Sequence, residues 1–158
     1  MASINTPLLL DVFNRLDEEL EKSHIVLMKK NNLKNLLPVH CYVIWAIDQF
    51  ITAPIIIDIA QRLYKSKAAV GAIIKTLEKK HYISTIESQK DKRAKQIVLT
   101  SKGKKIKKII ADMLNQHNLM VMKNLTTTEK DSLYKLLGKV QQNIRLFNDI
   151  NDMKVQEE

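Results

Sequence analysis

IIIDIAQRLYKSKAAVGAIIKTLEKK, residues 55–80, decides the fold. Ile55 to Leu63 reads as a short helix and Tyr64-Lys65 as a tight connection. Ser66 then caps a second helix running to about Lys80. In that helix Val70, Ile73, Ile74 and Leu77 recur at helical spacing and define the face turned to a core. The opposite face carries Ser66, Lys67, Ala68, Gly71, Ala72, Lys75 and Lys79, which are small or basic. A merely solvated face is ordinarily long and mixed in sign, with Glu among the Lys.

The next stretch is ISTIESQKDKRAKQIVLTSKG, residues 83–103. Residues 83–88 and 96–100 are rich in β-branched side chains and flank the polar run 89–95, which predicts a hairpin with a long basic tip. Two short helices, a tight turn and a basic hairpin make a winged helix-turn-helix. The second helix of such a pair fits a DNA major groove, where small residues let the backbone approach base edges. The hairpin reaches the neighbouring minor groove or backbone, and flanking lysines neutralise phosphates without reading sequence.

Working outward, Thr6-Pro7 starts a helix in which Val12, Phe13, Leu16, Leu20, His24 and Leu27 keep helical spacing, and Asn31-Asn32 ends it. Pro38 starts a second helix with Tyr42, Trp45, Ala46 and Phe50 toward the core, interrupted at Thr52-Ala53-Pro54. Beyond the hairpin, Thr100 or Ser101 caps a long helix striped by Ile106, Ile109, Ile110, Met113, Leu114, His117 and Met120/Val121. Thr126 and Glu129 fit a capping box that opens a last helix with Leu133, Leu136, Leu137, Val140, Ile144 and Phe147. A polar tail is expected from Asn148. The fold class is mainly α, with a two-stranded β-wing.

Composition agrees. In 158 residues, three Gly and three Pro are too few to punctuate an all-β protein. The single Cys41 excludes an intrachain disulfide framework, and no Cys/His spacing suits zinc. The apolar runs fall far short of the roughly 20 residues of a membrane span. The N-terminus does not resemble a signal peptide, so a cytoplasmic, nucleoid-associated protein without a membrane partner is expected. The net charge of +9 is unevenly placed: residues 62–108 carry 15 basic and 3 acidic residues, the remainder 11 and 14. A lysine-rich surface kept for solubility would be spread evenly, whereas a basic block on a near-neutral body is the footprint of a polyanion partner.

Three blocks carry a family resemblance. Asp58-Ile59-Ala60-Gln61-Arg62-Leu63, Ser66-Lys67-Ala68-Ala69-Val70 and Leu77-Glu78-Lys79-Lys80 resemble the helix-turn-helix of MarR/SlyA-type bacterial transcriptional regulators. Asp91-Lys92-Arg93 matches that family's Asp-x-Arg wing motif, and Leu99-Thr100-Ser101-Lys102-Gly103 matches the Leu-Thr-x-x-Gly that closes the wing. The strong part covers about residues 55–104, and the blocks are spaced without a gap. The resemblance implies a homodimer held by N- and C-terminal helices, with one wing on each side of a pseudo-palindromic operator. The corresponding division is residues 1–35 as an N-terminal dimerisation helix, 36–104 as the DNA-binding domain, 105–150 as C-terminal dimerisation helices and 151–158 as a tail. The sequence departs from the pattern at four positions. Tyr64 and His81 replace usual glycines, Ala72 stands where an arginine is common on the groove face, and Thr85 where the first wing strand often carries one.

The DNA-binding candidates are Ser66, Lys67, Ala68, Gly71 and Lys75 on the second helix and Lys90, Asp91, Lys92, Arg93 and Lys95 on the wing. Arg93 is placed for a narrow A·T-rich minor groove, whose negative potential favours a guanidinium, with Asp91 orienting it. Ser66 serves both as N-cap and as a phosphate contact at a helix N-terminus. Cys41 sits among Tyr42, Val43 and Ile44 and reads as a buried structural thiol rather than a redox sensor. His24, His40, His81 and His117 have no metal spacing. The resemblance implies a small-molecule effector of unidentified chemistry, for which Trp45, Tyr42, Phe13 and Met113 are pocket candidates, although their helical spacing is also that of a plain core. No nucleophilic triad, phosphate-binding glycine loop or carboxylate pair is present, so no enzyme and no cofactor is expected. The reading is a sequence-specific duplex-DNA-binding transcriptional regulator, more readily a repressor. The rival is a winged-helix architectural or protein-interaction module that binds nucleic acid non-specifically.

Overall fold

The computed structural model describes residues 8–87 and 95–155, with residues 149–155 described by backbone alone. Six helices and two strands follow in the order α1 (Leu9–Lys30), α2 (Pro38–Asp48), α3 (Ile56–Arg62), α4 (Lys67–Lys79), β1 (Ile83–Glu87), β2 (Lys95–Leu99), α5 (Ser101–Val121) and α6 (Thr127–Val155). Among the described residues the chain is mainly helical with one two-stranded antiparallel sheet, the predicted class. It divides into two compact units, Met1–His117 and Asn118–Glu158.

The core of the first unit is built around α2, an 11-residue helix that is apolar on nearly every side. Cys41, Val43, Ile44 and Ala46 are fully buried, while α1, α3, α4 and β2 pack around the helix. Ile59, Val70, Leu77, Ile83, Ile97 and Ile110 are buried with them, each contributing about 1.5–3 kcal/mol relative to exposure. Of the aromatic residues expected to face this core, Trp45 and Phe50 pack against it and Tyr42 does not. Tyr42 is exposed, and Trp45 and Phe50 lie half-buried at the rim. The small and branched side chains take the crowded centre, and the larger rings lie at its edge. There the Arg62 guanidinium stands 4.9 Å from the Trp45 ring centroid and 5.9 Å from that of Phe50.

Only the C-terminal half of α1 is anchored, through His24, Leu27 and Met28. Its first turns expose Leu9, Leu10, Leu16 and Leu20. The helix ends where Asn32 takes a left-handed conformation, φ 58°. The predicted start at Thr6-Pro7 lies outside the described residues.

The helix-turn-helix closes locally. Asp58 Oδ2 accepts the Ile55 N–H at 2.9 Å and fixes the start of α3. Lys65 N–H donates to the Ala60 carbonyl at 3.0 Å across a turn in which Tyr64 is left-handed, φ 52°. Ser66 Oγ accepts the Ala69 N–H at 3.1 Å, the predicted N-cap of α4. The strands pair from Ile83↔Leu99 to Glu87↔Lys95, with Ile83, Ile97 and Leu99 turned inward. Ile97 N–H also donates to the Pro54 carbonyl at 2.8 Å, so the segment before α3 leans on the wing sheet.

The Leu-Thr-x-x-Gly motif has a mechanical explanation. Leu99 is buried, and Thr100 Oγ1 donates to the His81 carbonyl at 2.7 Å while accepting the Gly103 N–H at 3.2 Å. A Cβ at Gly103 would collide with the Tyr82 carbonyl oxygen. The start of α5 is thereby locked onto the turn that ends α4.

In the second unit Asn124 is left-handed, φ 67°, and the predicted capping box is present. Thr126 N–H donates to Glu129 Oε2 at 2.7 Å, and Glu129 N–H returns a bond to Thr126 Oγ1 at 3.3 Å. The backbone of α6 continues to Val155, so the tail expected from Asn148 is helical over most of its length. No Gly or Pro follows Gly138 to stop it. Tyr134, Leu136, Leu137, Ile144 and Leu146 on α6 are exposed in the single chain.

Candidate nucleic-acid interface

The second helix of the pair, α4, is fixed by its apolar face. Val70, Ile74 and Leu77 are buried, which leaves Lys67, Ala68, Ala72, Lys75 and Lys79 exposed on the other side. Ser66 at the N-cap is exposed and Gly71 is half-buried. Five of the predicted site residues (Ser66, Lys67, Ala68, Gly71 and Lys75) thus belong to one helix terminus and one helix face. A Cβ at Gly71 would have nothing within 4 Å. The fold itself does not require a glycine there, and alanine is the better helix former.

The wing is placed at its base. Lys95 is exposed at the start of β2, opposite Glu87. Lys90, Asp91, Lys92 and Arg93 lie outside the described residues.

Several contacts are not visible in the sequence pattern. Glu78 on α4 accepts both the Thr85 N–H, at 3.2 Å, and the Thr85 hydroxyl, at 2.9 Å, joining α4 to β1. Lys80, the C-cap of α4, donates from Nζ to the Asn35 carbonyl at 2.7 Å. Lys102 Nζ donates to the Lys80 carbonyl at 2.9 Å and sits 4.3 Å from the Tyr82 ring centroid. Part of the basic block therefore braces α4 from behind, a role that charge counting cannot separate from phosphate contact.

The groups whose pKa is displaced lie on helices other than α4. Burial pushes the Cys41 thiol up to about 12, so it holds its proton and carries no thiolate chemistry near neutrality. His24 is buried with Nε2 lacking a hydrogen-bond partner among the described residues, and its ring stacks on that of His117 at 5.2 Å. His117 Nε2 shares a 2.7 Å hydrogen bond with Ser23 Oγ. Burial holds both imidazoles below the ordinary histidine pKa, with His117 adding to the effect on His24.

A cavity of about 600 Å³ lies beside the helix-turn-helix turn, lined in part by Leu20, His24, Tyr42, Arg62 and Tyr64. Of the four effector-pocket candidates, Tyr42 lines it. Trp45, Phe13 and Met113 do not, and Met113 belongs to the core.

Residues 40–95 match the MarR family model. The fold is similar to that of S. aureus MepR in its complex with DNA, at 17% identity over 87% of this chain and 99% of that one, with TM-score 0.76. It is also similar to a MarR/EmrR family transcriptional regulator from Acinetobacter sp. ADP1, at 25% identity, 87% and 94% coverage and TM-score 0.75. A Listeria monocytogenes protein complexed with a 26mer DNA gives 21% identity, 88% and 90% coverage and TM-score 0.72. No curated protein matches the sequence. The segment match, over the helix-turn-helix and the base of its wing, and the fold shared along most of the chain agree: residues 40–95 match the MarR family model, and the chain has the winged-helix fold seen in the solved MarR/SlyA regulators.

Proposed function

We propose that this chain is a sequence-specific duplex-DNA-binding transcriptional regulator that acts as a homodimer, more readily as a repressor, on a pseudo-palindromic operator. The observation that carries this reading is the exposed face of α4. It is small and basic, and it contains a glycine that no intramolecular contact requires. On this reading Ala68 and Gly71 let the α4 backbone approach base edges, and Ser66, Lys67 and Lys75 meet phosphates. Lys90, Lys92 and Lys95 neutralise charge along the wing, and Arg93, oriented by Asp91, enters the minor groove. Two of the similar structures hold DNA, which supports DNA as the partner.

The dimer accounts for the exposed leucines at the start of α1 and the exposed apolar residues of α6, since each unit leaves such residues uncovered within one chain. The division into dimerisation helices (1–35 and 105–150) around the DNA-binding part (36–104) follows from that assignment. The cavity beside Tyr64 is the place for a small-molecule effector, because an occupant there touches the turn that sets the angle between α3 and α4.

Selection of bound fragments from random duplex DNA tests the reading. It predicts enrichment of an inverted repeat that resists competition by bulk DNA at physiological salt. Affinity that tracks salt alone, with no enriched sequence, would favour the architectural module. Light scattering at micromolar concentration should return twice the 18.2 kDa chain mass.

A further inference from the structure

The last turns of α1, the loop after it and the start of α2 enclose an open groove of about 730 Å³, which adjoins the cavity at the helix-turn-helix turn and shares Glu21, Leu37 and Pro38 with it. Its floor includes Met28, Leu33 and Leu36, all more than nine-tenths buried. Lys29, Lys30 and Lys34 stand along it against a single acid, Glu21. None of the three lysines forms an ion pair among the described residues. The volume lies within the range of about 300–1,000 Å³ typical of small-ligand sites. An apolar trough edged by unpaired ammonium groups complements a molecule with an aliphatic body and one anionic head.

The same loop is tied to α4. The Asn35 carbonyl accepts the Lys80 Nζ at 2.7 Å, and Lys80 caps the C-terminal end of that helix. A ligand that shifts residues 33–37 therefore acts on α4 through one hydrogen bond.

We propose that this groove binds a monomeric aliphatic carboxylate of medium chain length, and that occupancy is transmitted to α4 through Asn35 and Lys80. The binding stands apart from DNA recognition, and only its transmission rests on the reading that α4 contacts DNA. Calorimetric titration of the full chain with decanoate, decanol and decyltrimethylammonium, each below its micelle concentration, tests the binding without DNA. Decanoate should bind saturably and at least about tenfold tighter than the other two. The double variant Lys30→Glu/Lys34→Glu should lose about tenfold in decanoate affinity while keeping the parent melting temperature, because both side chains are exposed. Lys80→Met should bind decanoate as the parent does, yet DNA affinity should no longer respond to it. Equal binding of the three probes, indifference to the lysine reversal, or no decanoate binding because a second copy closes the groove would overturn the site. So would binding only to phosphatidylglycerol vesicles, which would mark a membrane surface. A response to decanoate that survives Lys80→Met would overturn the transmission alone.

Discussion

Glu78 and Thr85 join α4 to β1: one carboxylate oxygen, Glu78 Oε1, accepts both the backbone N–H and the hydroxyl of Thr85, at 3.2 and 2.9 Å. The pair is partly buried, and hydrogen bonds to a charged acceptor are the stronger kind. Thr85→Val removes the hydroxyl donor and should lower stability by about 1–2 kcal/mol in chemical denaturation. Glu78→Gln keeps an acceptor at the same place and should cost less. Equal, negligible effects of both would show that the wing is held by its apolar residues alone.

Gly71 separates folding from binding. With open space around its Cα, Gly71→Ala should raise stability by about 0.5–1 kcal/mol through helix propensity. Gly71→Leu keeps the helix but puts bulk on the face assigned to the groove, and should reduce DNA affinity without loss of fold. A leucine variant that binds DNA as well as the parent would remove α4 from the interface.

His81 ends α4 in a left-handed conformation, φ 61°, with an exposed side chain. A non-glycine residue in this region is strained by roughly 1–2 kcal/mol. His81→Gly should therefore raise the melting temperature, with a net gain of about 0.5–1 kcal/mol after the added unfolded-state entropy of glycine. His81→Ala, which keeps a Cβ, should give no such gain.

How far the sequence could be read follows from these residues. Caps and periodicity are local, so Ser66, the Thr126–Glu129 box and the buried face of α4 were legible. The Glu78–Thr85 and Lys80–Asn35 bonds were not, because partners brought together by a fold leave no spacing signature. Tyr42 reads as a core residue but is exposed, because apolar character alone does not rank positions on a helix surrounded by neighbours. In α6 the polar composition after Asn148 suggested an end, while the backbone, with no breaker residue, continues.

The stacked histidines predict a pH dependence of stability. Folding lowers the pKa of His24 and His117, by burial first, so below about pH 6.5 the unfolded chain binds more protons than the folded one. Stability is complete above that pH and declines as pH falls through it toward the lower folded-state values. Melting temperatures from pH 8 to pH 5 should show this decline, and His24→Phe should flatten it. An unchanged slope in that variant would place the dependence elsewhere.

At the wing, Arg93→Ala should weaken binding to a selected operator by about 1–3 kcal/mol. Lys92→Ala should weaken all DNA alike and reduce the salt slope by about one per half-site. Equal, sequence-independent losses would mean that the wing only neutralises phosphate.

In the proposed homodimer two copies of α4 address one duplex from the same side. Such a dimer needs half-sites about one helical turn apart, roughly 10–10.5 base pairs centre to centre. The decisive measurement is the affinity for a selected operator before and after insertion of five base pairs between its half-sites, which turns one of them by about half a turn. The insertion should reduce affinity to the level of non-specific DNA. Unchanged affinity would contradict that dimer and leave a module that binds DNA by charge alone.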